Sequence, residues 1–140
     1  MTVNIRTAME SDADALFMLA ADFATSFVLE KPSFEISLRE IMSSDAANLS
    51  VAEVDGEIVG YCLGFDHNTF YANGRVSWVE EITVKESFRR NGIGKALMDS
   101  FEEWGAGRGA KLAALATRRA ASFYISIGYE ESATFFRKLL

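Results

Sequence analysis

Seven consecutive residues, Arg89-Arg90-Asn91-Gly92-Ile93-Gly94-Lys95, combine fixed positive charge with two glycines. They lie between a strand-like run, Val76 to Val84, and a helix-like run, Ile93 to Trp104. A loop that turns from strand into helix aims several main-chain N–H groups at one point, and the helix dipole adds positive potential there. Gly92 and Gly94 let that main chain approach a ligand with no Cβ in the way. Arg89, Arg90 and Lys95 surround the turn with cations. The chemistry described is binding of a phosphate or pyrophosphate. No Gly-Lys-Ser/Thr ends the turn, so it is not a P-loop, and Met98 stands where the dinucleotide fingerprint needs its third glycine.

Two carboxylates and one phenol are the other candidates. Glu80 and Glu81 sit mid-strand. In a regular strand Val76, Trp78, Glu80, Ile82 and Val84 share a face, which places Glu80 among apolar neighbours. A carboxylate so placed is costly unless solvated or used, and burial moves it toward the range of a general base. Glu81 is the second candidate, and the sequence does not separate the two. Ala120, Phe123, Tyr124 and Ile127 follow helical spacing, so Tyr124 lies on an inward stripe, where its hydroxyl needs a partner.

The elements that must hold these groups follow from periodicity. Val3–Thr7 reads as a first strand and Ser11–Ala24 as a helix capped by Ser11 or Asp12. Pro32 breaks the chain, and Ser33 caps a second helix through Met42. Leu49–Val54 and Glu57–Phe65 are two arms joined by an Asp55-Gly56 hairpin turn. His67–Gly74 reads as a loop and Val76–Val84 as a strand. Ile93, Leu97, Phe101 and Trp104 mark one face of the next helix, ended by Gly105 to Gly109. Leu112–Ala116 is a strand, Arg118–Ile127 a helix stopped by Gly128, and Thr134–Leu140 a last strand. The expected order is β-α-α-β-β-β-α-β-α-β, an α/β fold with a mixed, mostly antiparallel central sheet flanked by helices.

Composition sets the bounds. The chain has 140 residues, 49% of them hydrophobic, and fits one domain over residues 1–140. No signal-peptide h-region and no long apolar run point to secretion or a membrane, and the single cysteine, Cys62, suits a reducing cytoplasm. One histidine and one cysteine argue against a His/Cys metal centre. Cys62 reads as core and His67 as decoration of a loop. Residues 1–70 hold 12 acidic and 3 basic side chains, and residues 71–140 hold 8 and 11, so the basic groups gather with the glycine loop. An overall charge of −6 makes nucleic acid a poor partner, while the asymmetry suits an anionic cofactor opposite a cationic acceptor.

Taken together, the segment Arg89–Gly94 is similar to the Arg/Gln-x-x-Gly-x-Gly/Ala signature of the GNAT superfamily of N-acetyltransferases, and Ala120–Tyr129 resembles that family's Ala-x-x-Phe-Tyr-x-x-x-Gly-Phe/Tyr segment. The resemblance covers nearly the whole chain and is densest from Trp78 to Tyr129. It implies the acyl-CoA N-acyltransferase fold and acetyl-CoA as co-substrate. It implies that the loop at Arg89, Arg90, Asn91, Gly92, Ile93, Gly94 and Lys95 holds the pyrophosphate. It implies that the main chain of Ile82, Thr83 and Val84 pairs with the pantetheine arm, with an N–H there polarising the thioester carbonyl. It also implies that Glu80 or Glu81 takes a proton from an amine and that Tyr124 protonates the departing thiolate. Thr117 replaces the asparagine often found seven residues before the tyrosine, and Glu86 replaces a proline common before the loop. Arg118 and Arg119 are within reach of a cofactor phosphate or form a solvated helix start.

The function so implied is acetyl transfer to a primary amine of a small molecule or peptide. The alternative is a non-catalytic acyl-CoA-binding or interaction module that keeps the fold. The acceptor is expected against residues 22–36 and 66–78, with Phe27, Phe34, Phe70, Tyr71 and Trp78 as apolar contacts and Asp22, Glu30, Glu35 and Asp66 as anions. The family often forms homodimers, and Phe135-Phe136 offers a surface for one.

Overall fold

A computed structural model describes all 140 residues. The sheet has five strands in chain order: β1 (Val3–Thr7), β2 (Ala47–Val54), β3 (Glu57–Thr69), β4 (Gly74–Val84) and β5 (Ala113–Leu115). Neighbours are antiparallel except β4 and β5, which run parallel. Helices α1 (Ala13–Phe23) and α2 (Lys31–Ser43) fill the connection from β1 to β2, while α3 (Ile93–Gly107) crosses from β4 to β5 and α4 (Ala121–Ser126) follows. The mixed, mostly antiparallel sheet flanked by helices is the architecture the periodicity predicts.

Alternation along the strands supplies two cores. One face carries Leu49, Val51, Tyr61 and Leu63 against Leu16, Leu19 and Ala20 of α1 and Leu38 of α2. The other carries Ala52, Cys62 and Val79 against Ile93, Leu97, Met98 and Phe101 of α3 and Tyr124 of α4. Phe101 is fully buried, and removing its ring from water contributes on the order of 1.5–3 kcal/mol. It can sit this close because residue 64 is glycine: a Cβ there would lie 2.1 Å from Phe101 Cε1.

The turns follow the residue chemistry. Asp55 and Gly56 both adopt positive φ, 50° and 81°, as a two-residue hairpin requires. Asp12 is the N-cap residue of α1, but its carboxylate does not cap the helix: it accepts two hydrogen bonds from Arg6, at 2.8 and 2.9 Å, and one from the Met9 N–H. Helix α2 begins two residues before Ser33, because Pro32 lies in its first turn, where a missing N–H costs nothing.

Three expectations are corrected. The loop over His67–Gly74 shrinks to the turn after Thr69, since β3 pairs with β4 as far as Thr69 opposite Gly74. The last helix covers only Ala121–Ser126, because residues 117–120 bend first, with Thr117 Oγ1 accepting the Ala120 N–H at 3.1 Å. The final strand over Thr134–Leu140 does not form. Adjacent Phe135 and Phe136 cannot both face one side of a strand, and the stretch runs exposed and irregular, with Arg137 donating to Ser26 Oγ at 3.1 Å. The surface expected for a dimer is therefore a tail, not a strand.

Candidate active site

Strand β4 ends at Val84, a short 3-10 turn covers Glu86–Phe88, and α3 begins at Ile93. The chain reverses between them through two left-handed residues, Arg90 with φ 64° and Gly92 with φ 77°. Asn91 holds the turn, its Nδ2 donating to the carbonyls of Phe88 at 3.0 Å and Arg89 at 3.1 Å. Gly92 is the N-cap, and no side chain caps the helix. The first intrahelical bond runs from the Ala96 N–H to the Gly92 carbonyl, which leaves the N–H groups of Ile93, Gly94 and Lys95 pointing out of the helix start. A Cβ on Gly92 would touch nothing within 4 Å, so space above the turn is open. Gly94 serves a second purpose, since a Cβ there would be 3.4 Å from Phe123 Cζ of α4. Ile93 turns its side chain into the core, so only its N–H faces the turn. Lys95 Nζ donates to Asp99 at 2.8 Å, and that partner raises its pKa above the ordinary lysine value.

Next to this turn the sheet opens. β4 and β5 pair only from Ser77 to Val79 and from Ala113 to Leu115. Beyond those pairs the strands part, and the β5-facing edge of β4 from Glu80 onward meets no strand. The parting forms a cleft of about 1240 Å³ that runs from one face of the sheet to the other. It brings together Glu80, Glu81, Ile82, Thr83, Arg89, Thr117 and Tyr124, with Arg118 and Arg119 on the same wall. Val84, the last residue of β4, does not line the cleft, and Arg90, Asn91, Gly92, Ile93, Gly94 and Lys95 form the turn at its end.

The two glutamates are held differently. Leu63 pairs with Glu81 while Gly64 pairs with Val79, so Glu80 is the extra residue of a β-bulge. It is exposed, not set among apolar neighbours as a regular strand would place it. The bulge also puts Val79 and Ile82 on the same, α3-facing side. Glu81 points to the other side, where its Oε1 accepts a 2.7 Å hydrogen bond from the Tyr61 hydroxyl. Burial, and then the Glu81 charge, push the Tyr61 phenol above its ordinary pKa.

Tyr124 is buried to 8% exposure beneath Phe123 and Tyr129, whose rings meet it edge-on. Hydrogen bonds within the chain engage the hydroxyls of Tyr61 and of Tyr129, the latter to Glu102 at 2.7 Å, but not that of Tyr124. Burial first, and nearby Cys62 second, raise its pKa, so the phenol keeps its proton at neutral pH. Burial also pushes the Cys62 thiol up to about 12, which removes it as a nucleophile.

The expected acceptor region is half present. Asp22, Phe27, Glu30 and Phe34 line the cleft, and Trp78 lines a smaller cavity beside it. Phe70 and Tyr71 instead lie exposed at the far β3–β4 turn, and Asp66 is buried in ion pairs with Arg75 and Arg108. Sequence reasoning missed Tyr61, which alternation marks only as core. Its pairing with Glu81 emerges from the β3–β4 register.

Residues 13–129 match the acetyltransferase (GNAT) family, and the chain belongs to that family. A protein of Archaeoglobus fulgidus described as an uncharacterized N-acetyltransferase is 36% identical over 92 residues, and the match spans 61% of this chain and 62% of that protein's length. A crystal structure of a transcriptional regulator from Bacillus halodurans superposes with a TM-score of 0.91 at 26% identity, covering 99% of this chain and all of the other. AAC(6')-Iy, in complex with a bisubstrate analogue built on CoA, superposes with a TM-score of 0.83 at 21% identity over the whole of both chains, and shares the fold. No helix is long and apolar enough to cross a membrane.

Proposed function

We propose that the protein is an acetyl-CoA-dependent N-acetyltransferase that moves an acetyl group directly to a primary amine of a small molecule or peptide. One observation carries this reading: an uncapped helix start flanked by arginines lies at the end of the cleft that holds two carboxylates and a protonated phenol, with Arg89 lining that cleft. The N–H groups of Ile93, Gly94 and Lys95, with Arg89 and Arg90, would hold the pyrophosphate. The free edge of β4 at Ile82–Val84 would pair with the amides of the pantetheine arm as a further strand. The family membership and the CoA-bound fold relative support the same assignment.

The bound thioester supplies an activated acyl carbon, and the chain's own groups manage the protons. A free amine has a pKa near ~10.4, so holding it neutral at pH 7 costs about 4.6 kcal/mol. Glu80 or Glu81 offsets part of this by taking a proton from the bound ammonium before the C–N bond forms, and the second proton, shed by nitrogen once the bond is made, replaces the one Tyr124 gives up. Tyr124 gives its proton to the sulfur as the C–S bond breaks, and its raised pKa keeps that proton available. The Asp22 and Glu30 carboxylates on the cleft wall favour a cationic acceptor. Buried, inert Cys62 suits a protein working in reducing cytoplasm.

The test is acetyl transfer to an amine panel, followed by release of free thiol. Wild type should turn over at least one amine. The triple variant Tyr124→Phe, Glu80→Gln, Glu81→Gln should lose at least about a hundredfold in kcat. An unchanged kcat in that variant overturns the proton assignments. Tight CoA binding with no turnover of any amine would make the protein a non-catalytic acyl-CoA-binding module.

A further inference from the structure

Tyr61 is nearly fully buried, at 3% exposure, with its ring packed in the apolar cluster between the sheet and helices α1 and α2. A phenol hydroxyl buried this deeply needs a partner, and it has one, Glu81 Oε1 at 2.7 Å. The two residues sit on adjacent strands: Tyr61 lies opposite Thr83, and Glu81 opposite Leu63, so they are diagonal neighbours on one face. Both line the cleft. A glutamate has three rotatable bonds and normally samples many orientations. Here an anchor that cannot itself move fixes one oxygen, and Oε2 remains for a ligand. Glu80, one residue earlier, is the unpaired residue of the bulge and has no such anchor. The two carboxylates are therefore mechanically unequal, although they are adjacent in sequence.

We propose that Tyr61 is a positioning residue, whose hydroxyl holds the Glu81 carboxylate with its second oxygen turned to the acceptor amine. This rests on the amine-transfer reading above. Tyr61 touches neither acceptor nor acyl donor and acts only through Glu81. The geometry favours an amine delivered from the α1–α2 side of the sheet, because that is the face on which the pair lies. The acyl donor's sulfur would be met from the opposite face by Tyr124, which packs against the α3 cluster.

A double-variant cycle tests it, using Tyr61→Phe, Glu81→Gln and the pair, with Glu80→Gln as a further background. Spermidine, kanamycin, tryptamine and a peptide with N-terminal alanine serve as acceptors. Tyr61→Phe keeps the ring, and should lower kcat/KM for the best amine about tenfold or more while leaving KM for acetyl-CoA unchanged. In the Glu81→Gln background the same change should cost less than about twofold, whereas in the Glu80→Gln background the full loss should persist. A general loosening of the fold would act in every background, so the cycle separates positioning from damage. If Tyr61→Phe is neutral, or costs as much without Glu81 as with it, the proposal is overturned and amine transfer stands. If wild type transfers acetyl to none of the amines, the transfer reading fails, and the positioning role falls with it.

Discussion

Replacing Gly92 by aspartate puts a negative charge where the turn is proposed to hold pyrophosphate. The same change should leave the fold nearly intact. Gly92 is the N-cap of α3, and aspartate is among the preferred caps, able to accept from the N–H groups of Gly94 and Lys95. Relative to glycine that gain is only about 0.3 kcal/mol, so the net cost stays near the roughly 1–2 kcal/mol of placing a side chain at φ 77°, which a folded domain tolerates. A Cβ here meets nothing within 4 Å, so no clash adds to the cost. Binding is another matter. A carboxylate about 4 Å from a phosphate charge, at an effective dielectric near ~20, is repelled by about 4 kcal/mol, or roughly a thousandfold in affinity. The added carboxylate also occupies the N–H groups the phosphate would use. Calorimetric titration with acetyl-CoA and with CoA reads the loss, and thermal denaturation reads the stability. Gly92→Ala is the control: it carries the backbone strain without the charge, and should cost less than about tenfold in affinity. If aspartate and alanine weaken binding equally, backbone geometry and not charge is responsible. If aspartate leaves binding unchanged, the pyrophosphate is held elsewhere, and the reading of this turn is wrong.

Gly64→Ala should destabilise by about 1–3 kcal/mol, because the new Cβ falls 2.1 Å from Phe101 Cε1 and 2.8 Å from the Trp78 carbonyl. Gly107→Ala, a helical site with open space around it, should instead stabilise by about 0.5–1 kcal/mol; urea unfolding of both variants checks this, and like shifts would refute it. Stability should also fall in alkali. Cys62 is raised from 9.0 to about 12, and Tyr61, Tyr124 and Tyr129 are all raised above 10.0, so each holds its proton more tightly in the native state. Their contributions are complete below pH 9, and decline as the pH climbs, at about 1.4 kcal/mol per unit for each group past its unfolded pKa. Cys62→Ala should abolish the part of the decline between pH 9 and 10, and unfolding free energy that stays flat to pH 11 in wild type would show these shifts to be absent.

Much of the molecule is local and so could be read from the chain. Asp55-Gly56 specifies its own turn. The stripe Ile93, Leu97, Phe101 specifies which side of α3 is buried. The glycine loop is recognisable because strand, turn and helix are consecutive. What could not be read depends on register. Whether Glu80 alternates or bulges is a matter of how β4 registers against β3, where Leu63 meets Glu81 but Gly64 meets Val79, and that pairing cannot be read from β4 alone. The Tyr61–Glu81 bond needs the same register. Asp66 looked like an acceptor contact because acidity in a loop suggests solvent. Its burial follows from β3 continuing past Phe65 and from Arg108 arriving from the end of α3. The last strand failed for a simpler reason: Phe135 and Phe136 are adjacent, so strand alternation cannot turn both toward one buried face.

The order of strands in the sheet is also their order in the chain, and no later strand inserts between two earlier ones. A ribosome releasing this sequence therefore adds each strand to one growing edge, without prising apart what has already formed. Helices α1 and α2 emerge before the hairpin they cover, and the first four strands are complete by Val84. The second wall of the cleft, β5 and α4, is synthesised only after Gly107. A nascent chain grown past Lys95 but not past Gly107 has most of its sheet and its glycine loop but not yet the second wall of the cleft.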